Sequence, residues 1–596
     1  MKDGFWGVSA LVIGCLSFGS ASALDNLQFE VLGGGDLEDE LRNSSLVVAA
    51  EADDVTDPQE LLSAARADYG RLVGALYSEG HFGGVINILV DGREAADISP
   101  LAQLGAINTI SVRVAPGPVY TFSQTRVAPL APDTELPEEF AVGAPALTPL
   151  IEDAAGQAVT GWREAGHAKA EIAGQSVVAQ HDVDRLSVDI GVAPGPLVRF
   201  GDLILRGSDA VRPERLRAIA GLPTGEVFDP EELQLSVDRL RRTQVFSSVA
   251  LTEAKRLGPG NTLDIIGQFS AQPPRRFGFG AEVSSVDGVG LSSFWLHRNL
   301  LGGAERLRIE GAVSGIGGRT GGTDYSAGIR FDRPATFSAN NDFYTEAQIA
   351  RLNEPDYISN TGTIGAGITR YVSEYVELEY GLAYRFSRVE DENGTTDYSM
   401  LTLPIDATYD SRDVALDAKT GVYVALGFTP FLGLNEETGD GARATWDART
   451  YFSFGETDRI TLAGRLQGGS IIGADLDAVP NEYRFYSGGG GTVRGQQYQS
   501  LGVTLNGIDS GGGSFVGVSG EVRAGITDSI GLVAFYDYGI VGRDSFPDGS
   551  SDDQSGAGLG VRYVTPIGPI RLDVATPVSG DESSGVEVYV GIGQAF

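Results

Sequence analysis

From Pro274 onward, apolar and polar residues alternate. In Val376 to Ser387 the even positions are Val376, Leu378, Tyr380, Leu382, Tyr384 and Phe386, and the odd ones are Glu377, Glu379, Gly381, Ala383, Arg385 and Ser387. Successive side chains of a strand point to opposite faces, so one face is greasy and the other carries charges and small residues. Ile460, Leu462 and Leu466 against Thr461, Arg465 and Gln467 repeat the pattern, as do Val586, Val588, Val590, Ile592 and Phe596 against Glu587, Tyr589, Gly591 and Gly593. A soluble sandwich also alternates, but it caps its greasy faces with a partner sheet. Here the pattern runs on with almost no helix and ends on an aromatic. A closed antiparallel barrel with an apolar exterior and a polar lumen fits it, because closure removes every unpaired edge in lipid. About 320 residues, at roughly 20 per strand and connection, allow about 16 strands.

The first half has a different period and a repeat. Val114–Phe122 reads VAPGPVYTF and Val192–Phe200 reads VAPGPLVRF; a degraded copy, FSAQPPRRF, starts at Phe269, so the copies are spaced 78 and 77 residues apart. The rigid Pro-Gly-Pro fixes a turn at each boundary. Three modules are expected, at residues 24–117, 118–197 and 198–273. In the first, Asp57 caps a helix with Pro58 at its first position and Glu60 set for a capping box, and Gly80 ends it. Val85 to Val90 follows as a strand. Gly80-His81 is echoed by Gly166-His167 in the second module. The third reads strand (Leu203–Leu205), helix (Arg212–Ala220), helix (Pro230–Thr243) and strands at Val249 and Leu263–Phe269, a β-α-α-β-β unit. The fold class is therefore three α+β repeats, each expected as β-α-α-β-β, followed by an all-β barrel at 274–596.

The N-terminus carries an export address. Phe5 to Phe18 is apolar after Lys2, and Ala21-Ser22-Ala23 offers a cleavage site after Ala23, giving a signal peptide at 1–23. Val12-Ile13-Gly14-Cys15 also resembles a lipoprotein box, with Cys15 as the lipidated residue. Cys15 is the only cysteine, which leaves no intramolecular disulfide and no thiol chemistry. The formal net charge of −36 and pI near 4.4 exclude nucleic acid as a partner, since phosphates are repelled. Mean hydropathy of −0.04 and no long apolar run after residue 23 exclude a further transmembrane helix, but not a barrel. His81 and His167 sit in different repeats without neighbouring ligands, so no metal is expected, and no cofactor.

One stretch stands apart: Phe485 to Val503, FYSGGGGTVRGQQYQSLGV. Gly488, Gly489, Gly490 and Gly491 permit almost any φ and form a flexible approach that delivers a single cation, Arg494, followed by Gly495. A Gly-rich surface loop has the same local composition. The glycines lack the Lys-Ser/Thr and helix of a phosphate cradle. Parity supplies partners. With Val516, Val518 and Val522 facing lipid, Glu521 and Arg523 face the lumen; with Leu532, Tyr536 and Tyr538 facing lipid, Phe535 and Asp537 face the lumen. The two carboxylates suit an ion pair with Arg494 better than acid–base catalysis, and no catalytic constellation is present.

The exported repeats, the barrel and GGGGTVRGQ together resemble the BamA/TamA superfamily of outer-membrane assembly proteins, and the modules look like its POTRA domains. Arg494-Gly495 matches the superfamily's arginine motif on a loop that folds into the lumen, and Glu521 and Asp537, within FYDYG, match its acidic partners. Gln496 stands where that motif usually has an aromatic, which weakens the packing contact. Arg298-Asn-Leu-Leu-Gly302, Asp410-Ser-Arg-Asp413, Tyr563 to Asp573 and the ending VYVGIGQAF extend the resemblance, the last two being most like TamA. The resemblance implies a non-enzymatic factor in the outer membrane of a Gram-negative bacterium, POTRA domains in the periplasm, that inserts client β-barrel or autotransporter proteins. Their route would be a seam between the first strand, about Phe277 to Ser284, and the last, where Val588, Val590, Gly591, Ile592, Gly593 and Phe596 form the closing signal and the glycines pair weakly. Implied partners are outer-membrane lipid, unfolded clients and a TamB-like inner-membrane-anchored protein. A two-partner secretion translocator and a BamA-type core insertase are the alternatives.

Overall fold

The structure is a computed structural model that describes residues 26–102, 104–207, 209–284, 288–318, 321–455, 459–566, 568–580 and 585–596. The expected leader and Cys15 lie outside them. The chain forms two compact units. The first comprises residues 26–201 with two short returns, 224–230 and 256–263; the second holds most of the third module and the whole barrel.

In the first unit, strand Asn26–Val31 pairs in parallel with Thr109–Ala115, which in turn pairs with Val85–Val90. Helix Pro58–Ser78 lies on this sheet. Asp57 caps it, its carboxylate accepting from Gln59 N at 2.7 Å and Glu60 N at 3.0 Å, and Leu61, Leu62, Ala65, Leu72 and Leu76 are buried beneath. The second module has strands Thr121–Ala128, Glu171–Gln180 and Arg185–Ala193, and among the described residues a single α-helix, Thr148–Glu164. The segment between the first strand and that helix carries Pro129, Pro132, Pro137 and Pro145, whose missing N–H groups prevent a second helix.

The two repeated signals meet at one kind of joint. Gly80 and Gly166 both end a helix at positive φ, +82° and +91°. His81 Nδ1 then lies 3.0 Å from the carbonyl of Gly117, and His167 Nδ1 lies 2.9 Å from that of Gly195. Each acceptor is the glycine of a Pro-Gly-Pro. The carbonyls of Gly80 and Gly166 accept from Tyr120 N and Val198 N, both at 2.9 Å, so each helix end is stitched to the start of the following module.

In the second unit, helices Pro213–Ala220 and Pro230–Arg242 and strands Phe246–Glu253 and Thr262–Ala271 complete the third module. It rests on barrel turns: Arg212 N donates to Gly302 O at 2.9 Å, Arg239 Nε to Asn340 Oδ1 at 2.7 Å, and the Arg242 guanidinium lies 3.5 Å from the Tyr371 ring centroid.

Seventeen strand segments close into an antiparallel barrel. Two of them, Gly394–Thr402 and Ile405–Asp410, lie end to end and each pairs with both Val376–Asp391 and Gly421–Gly433, so the wall has sixteen positions. Pro404 lacks an N–H and interrupts that strand. The parity reading holds: Val518, Val522, Leu532 and Tyr536 are exposed on the outer face, while Glu521, Arg523, Phe535 and Asp537 are buried within. No described helix is long and apolar enough to cross a membrane.

The final strand is shorter than its alternation indicates. It runs Glu587–Ile592 and does not reach Phe596. Gly593, at φ +90°, breaks it, and Phe596 turns inward to pack with Ala418, Tyr451 and Ala463. Val590 and Ile592 face outward as expected.

Candidate functional site

Residues 473–513 connect strands Ile460–Ile472 and Ser514–Gly525 at the barrel end away from the third module, then fold back into the lumen. Phe485 and Gly512 exchange two backbone hydrogen bonds, at 2.9 and 2.7 Å, and Ser487 and Leu501 two more, at 2.9 and 3.0 Å. Gly469 lets the loop lie on the wall: a Cβ there would sit 2.2 Å from the Phe485 ring. Met400, Phe431, Ile471, Val479, Phe485, Phe515 and Val541 form the apolar patch beneath.

The four glycines are a folded turn rather than a flexible approach. Gly488, at φ +114°, has the Gln497 carbonyl 2.0 Å from where a Cβ would stand, and a Cβ on Gly490 would stand 3.2 Å from the Tyr589 ring. Thr492 Oγ1 accepts from Gly488 N at 2.8 Å. Gly491 faces open space, and its carbonyl accepts from Arg465 Nη1 and Gln467 Nε2 at 3.2 and 3.1 Å.

This turn sets Arg494 among three carboxylates. Its Nε and Nη2 grip Asp537 bidentately, at 2.7 and 3.0 Å, and its backbone N–H reaches the same carboxylate at 3.1 Å. Nη1 donates to Glu521 at 2.7 Å and lies 3.5 Å from Asp573. The guanidinium also stacks on Phe535, 3.6 Å from the ring centroid. Fork geometry of this kind is among the stronger polar contacts a protein makes. Gly495 and Gly556 admit the backbone: a Cβ on either would overlap Thr576 at 2.7 Å or the Arg494 carbonyl at 2.0 Å.

Two arginines extend the cluster. Arg523 donates to Glu521 at 2.8 Å and Arg562 to Asp573 at 2.5 Å. All six side chains are buried, three cations with three anions. A buried charge is tolerable only when paired and fully hydrogen-bonded, and here each one is.

Gln496 does not leave the weakness expected of it. Its amide nitrogen donates to the carbonyls of Ser555 and Ser579 at 2.8 and 2.6 Å, fastening the loop to two adjacent strands where an aromatic would only pack. A second attachment lies across the lumen. Glu482 accepts from Arg385 at 3.1 Å, Ser359 at 3.1 Å and Ser387 at 2.5 Å. Sequence reasoning missed Glu482, whose loop has no periodicity. It also missed Asp573, which parity could have found, because Arg571 and Asp573 alternate with exposed Leu572 and Val574.

The loop reaches the strand that closes the barrel. Gly495 N donates to the Tyr589 hydroxyl at 3.1 Å. That closure is thin. Among the described residues strand Arg275–Ser284 meets Glu587–Ile592 through two partner pairs, Val283 with Val590 and Ser284 with Tyr589. Its other side pairs along its full length, from Arg275 with His297 to Ser284 with Gly288. An ion pair from Arg571 to Glu282, at 3.5 Å, also crosses the seam.

Residues 299–596 match the Omp85 superfamily domain. The chain is similar to an outer membrane protein assembly factor BamA of Nitratidesulfovibrio vulgaris, 24% identical over 456 residues that cover 71% of this chain and 54% of the relative. It is also similar to the chloroplastic outer envelope protein 80 of Arabidopsis thaliana, 26% identical over 386 residues, 59% of this chain and 50% of the relative. The chain thus spans about half the length of these curated relatives. In fold it is similar to the crystal structure of BamA from Haemophilus ducreyi lacking POTRA domains 1-3, with a TM-score of 0.60 at 16% identity, over 79% of this chain and 100% of that one.

Proposed function

The chain belongs to the Omp85 superfamily, and from that premise we propose that it is an outer-membrane assembly factor, rather than an enzyme, that inserts β-barrel or autotransporter clients through a lateral seam. It sits in the outer membrane with its POTRA-like modules, 24–117, 118–197 and 198–273, in the periplasm. Within the superfamily we place it with the TamA-like members, which pairs it with a TamB-like inner-membrane-anchored partner. The three modules and the Tyr563 to Asp573 and VYVGIGQAF segments support that placement.

One observation carries the reading: among the described residues two residue pairs close the barrel, where the first strand shares ten with its other neighbour. Net backbone hydrogen bonds contribute about 0.5–1.5 kcal/mol each, so this is the place on the wall that opens at least cost. From Arg275 to Glu282 the first strand then offers its backbone to an incoming client strand, which is strand addition at an exposed edge. Arg494, with Glu521 and Asp537, acts as the latch that holds the loop inside and sets the shape of the lumen while this happens.

The test is reconstitution. Lipid vesicles containing the purified chain should speed the folding of a urea-denatured eight-stranded client at least tenfold over empty vesicles. Equal folding rates in the two would refute insertion. Passage of an unfolded polypeptide into the vesicle interior would favour a translocator instead.

A further inference from the structure

The inward turn Gly593–Phe596 is held by the same charges that hold the loop. Gly593 N donates to Pro569 O at 2.7 Å and Gln594 N to Leu416 O at 3.0 Å. The Gln594 side chain donates to Asp417 at 2.8 Å and accepts from Arg562 Nε at 2.7 Å. Arg523 Nη2 donates to the Phe596 carbonyl at 2.9 Å, with the Phe596 ring 5.6 Å beneath its guanidinium. Arg523 and Arg562 are the two flanking cations of the Arg494 cluster. One chain of contacts, buried except at its half-buried Gln594 end, therefore runs Phe596–Arg523–Glu521–Arg494–Asp573–Arg562–Gln594.

We propose that Gly593–Phe596 is an internal strap on the seam strand, and that withdrawal of Arg494 loosens it. The inference rests on the seam-opening reading given above. The coupling follows from charge. With Arg494 in place, three cations face Glu521, Asp537 and Asp573, and Arg523 and Arg562 each have donors to spare for the turn. With Arg494 gone, three buried carboxylates share two cations. An uncompensated buried charge is costly, so both guanidiniums are drawn toward the carboxylates and away from Phe596 and Gln594. The strand Glu587–Ile592 then loses its anchor at Tyr589, through Gly495, and its anchor at the turn together. Among the described residues two backbone pairs join it to the first strand, and an Arg571–Glu282 contact from the adjacent strand Ile570–Ser579 lies beside them. Arg523 and Arg562 are positioning residues here. They act on the strand through the turn and touch no client.

Spin labels on two outward-facing positions flanking the seam, Leu291 and Leu572, read its opening directly by pulsed electron–electron distance measurement in lipid nanodiscs, with Cys15 replaced by Ser. The expected result is at least a threefold rise in the long-distance population for Arg562→Gln and for Gln594→Ala, which removes no charge. Arg494→Gln should raise it at least as far. The matched control is Arg330→Gln, which breaks a lumenal cluster with Asp332, Glu346 and Glu379 on other strands and should leave the population unchanged. Heat-modifiable migration confirms that each barrel is folded. An unchanged population in both turn variants, with a rise for Arg494→Gln, would overturn the strap and leave the seam reading standing. An equal rise in the Arg330→Gln control would also overturn the strap. No long-distance population in any variant, even with unfolded client added, would overturn the strap and seam opening together.

Discussion

The backbone amide of Gly495 donates to the hydroxyl of Tyr589 at 3.1 Å, so the loop that crosses the lumen is bonded to the strand that closes the barrel. Both groups are buried, and replacing Tyr589 by Phe leaves the Gly495 N–H without an acceptor. The cost is about 1–3 kcal/mol. The midpoint of heat-modifiable migration should fall in Tyr589→Phe, with the barrel still assembled.

Arg494 ties the loop to Asp537 and Glu521 by charge-assisted hydrogen bonds. Arg494→Ala leaves Asp537 without its cation and three buried carboxylates to share Arg523 and Arg562, and breaking a buried pair costs about 3–5 kcal/mol. Its barrel should unfold at clearly lower urea concentration than the parent. Exchanging the charges, Arg494→Asp with Asp537→Arg, should recover part of the client assembly lost in either single variant. Complete failure of rescue at normal barrel levels would remove the pairing from the mechanism.

Gln496 provides a test of polar fastening against packing. Gln496→Ala removes both hydrogen bonds to the Ser555 and Ser579 carbonyls and should destabilise the barrel by about 1–3 kcal/mol. Gln496→Phe restores bulk but not donors, so it should resemble the Ala variant in urea unfolding rather than the parent.

The module joints are predicted to be stiff because of Gly166. A Cβ at its φ of +91° would lie 2.5 Å from Val227 and 2.8 Å from Leu197, and the left-handed backbone alone costs a non-glycine residue roughly 1–2 kcal/mol. Gly166→Ala should therefore open the segment around Pro194–Pro196 to limited proteolysis, while the barrel migrates normally.

Much of this architecture is legible in the residues themselves. Period-two alternation placed Glu521, Arg523, Phe535 and Asp537 inside because a strand has only two faces, and the Gly-His and Pro-Gly-Pro repeats marked the joints without showing that they touch. Alternation failed at Phe596. A pattern of faces carries no information about where a strand stops, and the positive φ of Gly593 decides that. It was equally silent on Glu482 and on the packing of Gly488 and Gly490, which depend on contacts between distant segments. The sequence departure at Gln496 read as a weakness only because its acceptors, two strand carbonyls, cannot be seen in a linear chain.

The claim that the barrel works by opening between its first and last strands is tested most directly by locking them. Cysteines at the backbone partners Val283 and Val590, with Cys15 replaced by Ser, would form a reversible cross-link at the one short ladder of the seam. A second cysteine pair at Gly365 and Ala383, partners on adjacent strands away from it, is the control. In vesicles, oxidised Val283→Cys/Val590→Cys protein should lose at least ten-fold in client folding rate and regain it on reduction, with the control pair unaffected. Full activity with the seam covalently shut would contradict the proposed mechanism.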